Sequence, residues 1–463
     1  MAANTPNTHD SSKDTFTQKY SGKQIFIVVS IVMVALLLDT TTIRISELTL
    51  KSTSSWPIGL FTIIAVVSLA GQNLILRFIR QKVNESTAAN ESLSLNSIYK
   101  VAIMVHYAFA AILVFAIFQM LIISQYNVVL LNTAIMISYV FGIAIMVILC
   151  HRFFSWFKLN KSYVILLYGL SFIMLAVNAC ITLWLANNIL LARPGEVMPH
   201  VMVQIPQISA NATLNYAYII TTITSFIITW CATIGLLKNY TQKMRKFTYW
   251  IVAILPLAYF VSQFLVFSLG LLGPMLISNP IFYGILFTIM FTFSKPIGGI
   301  IFGIGFWLIA RNIHKDNVVR NYLIISAYGF LLLFASNQAM VLTFTYYPPF
   351  GLATISFVGL SSYLVLVGIY SSAISISQDA NLRLEIRRLA IRESKLLDSI
   401  GLAQIEEDLR KRVLHVARIN KSNVAEAGVQ STLNEEEVNR YLDDILKEIK
   451  TSKKEGSFTN EKL

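Results

Sequence analysis

The chain alternates long apolar runs with short polar stretches that carry many of its basic residues. Most of the apolar runs are 17–27 residues long, and an α-helix needs roughly 20 residues to cross about 30 Å of hydrocarbon. Helix is the form that a bilayer requires, because lipid offers backbone groups no hydrogen-bond partner. The ten runs are 24–40, 56–77, 101–124, 128–150, 162–188, 214–237, 247–270, 280–310, 321–345 and 351–374. The predicted fold class is all-α: a polytopic helical membrane protein with about ten transmembrane helices and a cytoplasmic helical tail.

The composition of the chain points to the same class. Of its 463 residues, 55% are hydrophobic and 13% are charged, whereas a soluble domain carries about 25% charged residues. This balance excludes an ordinary soluble protein and a disordered chain. The three cysteines lie in or at the end of apolar runs without CxxC spacing. They are therefore interpreted as small buried hydrophobic residues, and not as metal ligands or a disulfide framework.

The basic residues of the loops predict the orientation. The formal net charge is +13, and with a cytoplasmic N-terminus the inner loops hold 14 Lys and Arg residues against 3 in the outer loops. That distribution follows the positive-inside rule without a break. Ten spans then place both termini in the cytoplasm, and the cell (plasma) membrane is the expected location.

The chain is predicted to have four parts. These are a disordered cytoplasmic tail at 1–23, the ten-span domain at 24–375, a cytoplasmic helical region at 376–450 and a disordered tail at 451–463. Asn211 opens a sequon in a predicted outer loop, which makes it a candidate for glycosylation.

The cytoplasmic region carries apolar residues at helical spacing. A stripe from Leu382 to Ile400 changes phase at residues 399–401. A new stripe then runs through Leu402, Ile405, Leu409, Val413 and Val416. The last predicted helix, at 434–449, begins with three glutamates, where the helix dipole favours acid. Neither helix buries its stripe alone, so we expect residues 379–449 to contact a cytoplasmic protein partner or to self-associate.

Two segments of the second half resemble a known group of proteins. The stretch Tyr347–Tyr363, which begins Tyr-Pro-Pro-Phe-Gly, and the segment Glu393–Gly401 are similar to an uncharacterised family of polytopic membrane proteins from ammonia-oxidising archaea. The resemblance implies an archaeal lineage and a multi-pass architecture, and no activity. A looser similarity is to multi-span sensors, in which a helix leaves the last span toward the cytoplasm.

Lys295 is the sharpest candidate for a functional residue, because it lies midway in the eighth apolar run. A lysine at the bilayer centre costs about 2.5–3.5 kcal/mol on insertion scales. Pro296 removes a helix hydrogen bond, and Gly298 and Gly299 loosen the same turn, so these three residues form a candidate hinge. Together they predict a broken helix whose ammonium group faces a cavity. The alternative is a tilted run from which Lys295 reaches the headgroup layer.

Four amide side chains in other spans complete the candidate intramembrane polar site. They are Asn178, Gln263, Asn337 and Gln338. Such amides more often hold helices together than bind ligands. Asp39, at the outer end of the first span, is interpreted as solvated, and His106, near the inner end of the third, as interfacial.

The sequence contains no HExxH, GxSxG, P-loop, GxGxxG or CxxC motif. An enzyme is therefore not expected, and neither is a cofactor or a metal. Basic and aromatic residues do not interleave in a soluble domain, so nucleic acid is not an expected partner. The lipid bilayer is an expected partner.

Two classes of function remain open. A membrane-embedded sensor or signalling scaffold is favoured by the patterned tail, whose helices would contact a cytoplasmic partner. The alternative, a secondary transporter or permease, is favoured by the ten spans and by the interrupted eighth span with Lys295.

Overall fold

A computed structural model provides the architecture of the chain. It describes residues 22–49, 56–84, 93–192, 195–197, 212–237, 246–268, 288–314, 317–338, 347–378 and 395–426, together with single residues between 270 and 286. The sequon at Asn211 and the predicted helix 434–449 lie outside the described residues. So do residues 1–21 and 451–463, which make up nearly all of the two predicted disordered tails.

The fold is all-α, as predicted. The helices before the first irregular segment are α1 (Gly22–Thr49), α2 (Trp56–Asn84), α3 (Leu93–Ile122), α4 (Val128–Leu159), α5 (Tyr163–Leu191), α6 (Ala212–Leu237) and α7 (Lys246–Ser268). A π-helical turn (Thr288–Thr292) is followed by α8 (Ser294–Asn312), α9 (Val318–Ser336), α10 (Leu352–Ile355), α11 (Phe357–Gln378) and α12 (Lys395–Glu426). Two short strands, β1 (Tyr126–Asn127) and β2 (Glu196–Val197), pair antiparallel and tie the loop after α3 to the loop after α5.

Among the described residues, nine helical segments are long and apolar enough to cross a membrane. They correspond to nine of the ten predicted spans. The seventh predicted span coincides with α7, whose apolar part among the described residues, Ala253–Val266, is shorter than the others. These lengths and compositions make the chain a multi-pass membrane protein in architecture.

Helix α11 is enclosed by the rest of the bundle. The apolar window within Leu352–Gln378 is buried throughout, and α11 packs against α9, α4 and α12. Its small residues permit close helix crossings. A Cβ on Gly368 would lie 2.6 Å from the carbonyl oxygen of Tyr322, so only glycine allows α11 and α9 to approach this closely. By contrast, α3 is the most peripheral span.

The eighth and ninth predicted spans are not continuous helices over their predicted ranges. The eighth changes from a π-helical turn to α8 at Phe293. The ninth was predicted to reach residue 345, but α9 ends at Ser336 and Asn337 leaves the helical conformation. The tenth has one irregular residue, Ser356, between α10 and α11, where the backbone keeps helical dihedral angles. Apolar composition alone does not register these breaks, because their residues stay buried in protein after the helix ends.

In the described part of the tail, α12 is one long helix that the predicted change of phase at 399–401 does not interrupt. The first three turns of α12 bury Leu396, Leu397, Ile400 and Ala403 against the bundle. The following turns place Leu409, Val413 and Val416 in solvent. The apolar stripe changes phase because the first half of α12 packs its apolar residues against the bundle, whereas the second half carries them on another face, which is exposed. Residues 379–394, the first part of the predicted tail helix, lie outside the described ranges.

The predicted orientation gives an expected labelling pattern. In intact cells that express a chain with its native cysteines replaced by alanine, Val203→Cys should react with a membrane-impermeant maleimide, and Thr241→Cys should react only after lysis. The loop that carries Val203 is predicted to lie outside and the loop that carries Thr241 to lie inside, because the second loop is rich in basic residues, which favour the cytoplasmic side. Labelling of both positions from outside would refute the orientation.

Candidate functional site

The breaks in the eighth and ninth spans meet at one group of polar side chains. This group, called the polar centre below, consists of Gln263, Ser294, Lys295, Asn337 and Gln338. The Ser294 hydroxyl donates to Oε1 of Gln263 over 3.1 Å. Nε2 of Gln338 donates to the Thr292 carbonyl over 3.3 Å. The structure therefore brings four of the five predicted polar site residues together.

Lys295 is half-buried at the start of α8, and its amine points toward other helices. The Nζ atom donates to the Asn337 carbonyl oxygen over 3.2 Å and to the Tyr218 hydroxyl over 3.3 Å. It also lies 5.6 Å from the centroid of the Tyr218 ring, within cation–π range. The Asn337 carbonyl is available because α9 ends one residue earlier, so the helix break supplies the acceptor.

Side-chain donors contact three carbonyls of the irregular turn before α8. The Tyr259 hydroxyl of α7 donates to the carbonyl of Ile289, and the Ser294 hydroxyl shares its one hydrogen between Gln263 and the Phe291 carbonyl, which lies 3.3 Å away. A helix break inside a membrane is tolerated only where protein groups or water satisfy its backbone. The break is therefore a built feature with its own hydrogen-bond partners.

The three predicted hinge residues lie just beyond the break. Pro296 occupies the first turn of α8, where the missing N–H costs nothing. Gly298 and Gly299 lie in regular helix, where they allow close packing. A Cβ on Gly299 would lie 2.8 Å from the Phe334 side chain, and one on Gly298 would overlap the Phe226 ring. The irregular geometry is thus located at 288–293, one turn earlier than predicted.

Asn178 is connected to the polar centre indirectly, through α6. Its Nδ2 atom donates to the hydroxyls of Thr221 and Thr222 over 3.1 and 2.8 Å. These threonines follow Tyr218 by about one helical turn on α6. Asn178 therefore helps to hold α6, which presents the Tyr218 hydroxyl to Lys295, against α5.

A second polar group surrounds Asp39, which the sequence analysis interpreted as solvated. That interpretation is wrong, because Asp39 is completely buried. Its Oδ2 atom accepts hydrogen bonds of 2.8 Å from both the backbone N–H and the hydroxyl of Thr354. Thr354 lies in α10, so a carboxylate from α1 caps the N-terminus of this short helix, where the helix dipole favours negative charge. Its Oδ1 atom has no hydrogen-bond partner among the described residues.

A chain of hydrogen bonds leads from the end of α10 to His106. Nε2 of Gln72 donates to the Ser356 hydroxyl over 2.5 Å, and Oε1 of Gln72 lies 2.9 Å from Nδ1 of His106. His106 is half-buried, and this contact places it inside the protein network. The sequence analysis expected His106 to lie at the membrane interface, and that location does not explain its contact with Gln72.

Adjacent residues of α4 join the two polar groups. The Tyr139 hydroxyl donates to Oδ1 of Asn337 over 2.8 Å, which connects α4 to the polar centre. The Ser138 hydroxyl donates to the Ile355 carbonyl over 2.6 Å, which connects α4 to α10. Side-chain hydrogen bonds of α4 therefore connect the breaks of the eighth and ninth spans to α10.

The two charged residues of the network lie equally far along their own helices from a basic residue. Lys295 precedes Arg311 by 16 residues on α8, and Asp39 follows Lys23 by 16 residues on α1. Each separation is about 24 Å along a helix. Within the described part of the chain, both groups are bonded to neutral partners and not to each other.

The loop before α10 is fixed by an aromatic contact. The Tyr347 ring stacks on Tyr126 with centroids 6.2 Å apart, and its hydroxyl donates to the Met120 carbonyl over 3.2 Å. Burial raises the pKa of the Tyr347 phenol, so it stays protonated and remains a donor. Gly351, which follows, has a φ of 95°, a conformation that glycine adopts without strain.

Among the described residues, Lys295 has one N–H without an assigned acceptor. An ammonium group has three donors, and two of those of Lys295 are used by Asn337 and Tyr218. In the described ranges, no cluster of three His, Cys, Asp or Glu residues could hold a metal ion. Buried charges in a membrane domain are costly and are a default pointer to function.

The sequence contained one usable signal for Asp39. Asp39 lies near the end of an apolar run and is followed immediately by three threonines. Threonine hydroxyls can bond back to their own helix, so the helix can continue past the carboxylate. Its partner Thr354 is 315 residues away, and no local pattern indicates such a contact.

No known protein family, curated protein or solved structure matches this chain.

Proposed function

We propose that the chain is a membrane-embedded sensor. In this proposal the polar centre binds a small organic anion through the third N–H of Lys295. Helix α11 then transmits the occupied state to α12, and the C-terminal region contacts a cytoplasmic protein. The observation that carries the proposal is the course of α11, which starts at the polar network and ends beneath α12.

Both ends of α11 have specific contacts that support this role. At its start, Ser138 accepts a hydrogen bond of 3.4 Å from the Gly359 N–H. At its other end, the Ser377 hydroxyl, which also bonds to the Ile374 carbonyl over 2.8 Å, lies 3.3 Å from Oδ2 of Asp408 in α12. The helix between them is buried in protein, so a shift at one end displaces packed neighbours along about 33 Å.

The docked half of α12 is held by polar contacts as well as apolar ones. Arg152 of α4 forms an ion pair of 3.0 Å with Glu407, and its guanidinium lies 4.9 Å from the Tyr370 ring centroid of α11. Nε1 of Trp156 donates to Oε1 of Gln404 over 3.1 Å. Arg152 therefore contacts both α11 and α12, which makes the docked position sensitive to α11.

Two groups of aromatic rings pack inside the bundle. In the first, Phe302 and Phe334 have ring centroids 4.6 Å apart. The second consists of Phe330, Phe172, Tyr168, Phe153 and Trp156, with contacting centroids 5.3–6.2 Å apart. These separations are typical of interacting aromatic pairs. The second group includes the Trp156 indole that holds Gln404, so the docked part of α12 lies on closely packed rings.

A ligand screen tests the proposal. Full-length protein in lipid nanodiscs is tested against small carboxylates and phosphates by thermal shift, and each hit is followed by hydrogen exchange of residues 395–404. The expected result is a compound that raises Tm and changes exchange in this segment, with both effects lost in Lys295→Met. A compound that raises Tm equally in Lys295→Met would refute the assigned site.

A secondary transporter is the second candidate, and the two helix breaks at Lys295 favour it. In such proteins, substrate sites are formed by discontinuous helices and their unwound carbonyls. Uptake of a hit compound into proteoliposomes, abolished by Lys295→Ala, would favour transport. Binding without uptake would favour sensing.

A further inference from the structure

We propose that residues 434–449 of this chain fold back on the exposed half of α12 and form an antiparallel helical hairpin with it. The occupant of the exposed face is thus a segment of the same chain. This inference does not depend on the polar centre or on the sensing function, because it concerns the C-terminal part alone.

The exposed half of α12 presents an apolar stripe. Leu409, Val413 and Val416 are 46%, 37% and 54% exposed, and their spacing of four and three residues places them on one helical face. The preceding turns of the same helix bury their apolar residues against the bundle. A helix of this kind has a second surface that needs a partner.

Charge selects the occupant of this surface. Residues 409–426 contain one acid, Glu426, and five basic residues, namely Arg410, Lys411, Arg412, Arg418 and Lys421. Two copies of α12 would therefore bring like charges together along their stripes, which opposes pairing. Residues 434–449 contain two basic residues, Arg440 and Lys447, and six acids, namely Glu435, Glu436, Glu437, Asp443, Asp444 and Glu448. The net charges of the two segments are +4 and −4, so they complement each other.

The segment also matches the stripe in pattern. Its apolar residues at helical spacing are Val438, Tyr441, Leu442, Ile445 and Ile449. On a helical wheel these fall within one face, and Lys447 lies opposite them. The segment can therefore cover the α12 stripe with its apolar face and keep Lys447 in solvent.

The connection has a suitable length. Residues 427–433 form a seven-residue link that includes Gly428, and connections between neighbouring helices commonly have 2–8 residues. Residues 409–426 extend about 26 Å as a helix and 434–449 about 23 Å. An antiparallel return places Ile445 next to Val416. A short flexible link also gives an effective concentration of about 1 mM, which favours this segment over other partners.

Cysteine cross-linking in the full chain tests the hairpin. The native cysteines are replaced by alanine, a protease site is inserted into 427–433, and Val416→Cys is combined with Ile445→Cys. After mild oxidation and cleavage, the two fragments should stay joined until a reductant is added. In the matched control, Val416→Cys with Lys447→Cys, the cross-link should be lost, because the second cysteine lies on the opposite face.

Charge reversal gives an independent measurement. Changing Asp443, Asp444 and Glu448 to lysine should lower the cross-link yield at low salt, and adding Arg412→Glu and Arg418→Glu, which the antiparallel register places opposite these acids, should restore it. Unchanged yield on charge reversal would overturn the assigned charge complementarity. A cross-linked species of twice the mass would show that a second copy covers the stripe, and a fully maleimide-reactive Val416→Cys without any cross-link would show that the segment does not. Either result would overturn the proposal.

Discussion

Replacement of Asp39 by alanine is expected to destabilise the fold by about 2–4 kcal/mol, because a buried acceptor disappears and a cavity remains. The Thr354 N–H loses its partner in a site with no solvent exposure. The Thr354 hydroxyl retains only the Leu36 carbonyl at 3.3 Å. The measurement is the free energy of unfolding in mixed micelles, titrated with a denaturing detergent.

Asp39→Asn is the matched control for this change. It keeps one oxygen as an acceptor for Thr354 and places an amide at the Oδ1 position, which lacks a hydrogen-bond partner among the described residues. We expect its stability to lie closer to that of the native protein than to that of the alanine variant. If Asp39→Ala falls within about 0.5 kcal/mol of the native protein, as most surface substitutions do, the assigned capping role is wrong.

Replacement of Lys295 by methionine is expected to leave stability nearly unchanged and to weaken ligand binding. Methionine removes an insertion cost of about 2.5–3.5 kcal/mol, and the Asn337 carbonyl loses a donor at a cost of about 1–3 kcal/mol. These terms are similar in size, so the free energy of unfolding should change little. A hydrogen bond from a charged donor contributes about 1.5–3 kcal/mol, so a ligand anion should bind roughly 10–150-fold more weakly.

Lys295→Arg separates charge from shape at the same position. The planar guanidinium retains the charge but does not fit the geometry set by the Asn337 carbonyl and the Tyr218 hydroxyl. We expect this variant to bind the ligand more weakly as well, measured by calorimetry in nanodiscs. Unchanged affinity in Lys295→Met would show that Lys295 does not bind the ligand and only holds α8 against its neighbours.

The apolar pattern predicted the architecture because each span must be long and apolar to cross a bilayer. It also predicted a break near Lys295, but not its position. Pro296 and Gly298 attract attention in the sequence, whereas the irregular turn at 288–293 contains neither proline nor glycine. Tertiary partners such as Tyr259 and Gln338 stabilise it, and these come from other helices.

Among the polar residues too, some could be predicted from the sequence and others could not. Lys295 was identifiable because a lone charge in an apolar run is costly wherever the helix packs. Asp39 was misread, because its burial depends on α10 lying against α1, and this contact joins residues 315 positions apart. The docked half of α12 was also hidden, since the pairing of Arg152 with Glu407 spans 255 positions. Arg152 had been counted only as a loop charge.

Hydrogen exchange of residues 395–404 in native protein and Lys295→Met tests most directly whether the polar centre is coupled to α12. The control is Asn187→Leu, which removes a polar contact between α4 and α5, the 2.9 Å bond from Asn132, outside the described network. A coupling of about 1 kcal/mol corresponds to a roughly fivefold effect. The account predicts at least that change in exchange for Lys295→Met and none for Asn187→Leu. Equal exchange in the native protein and Lys295→Met would contradict it.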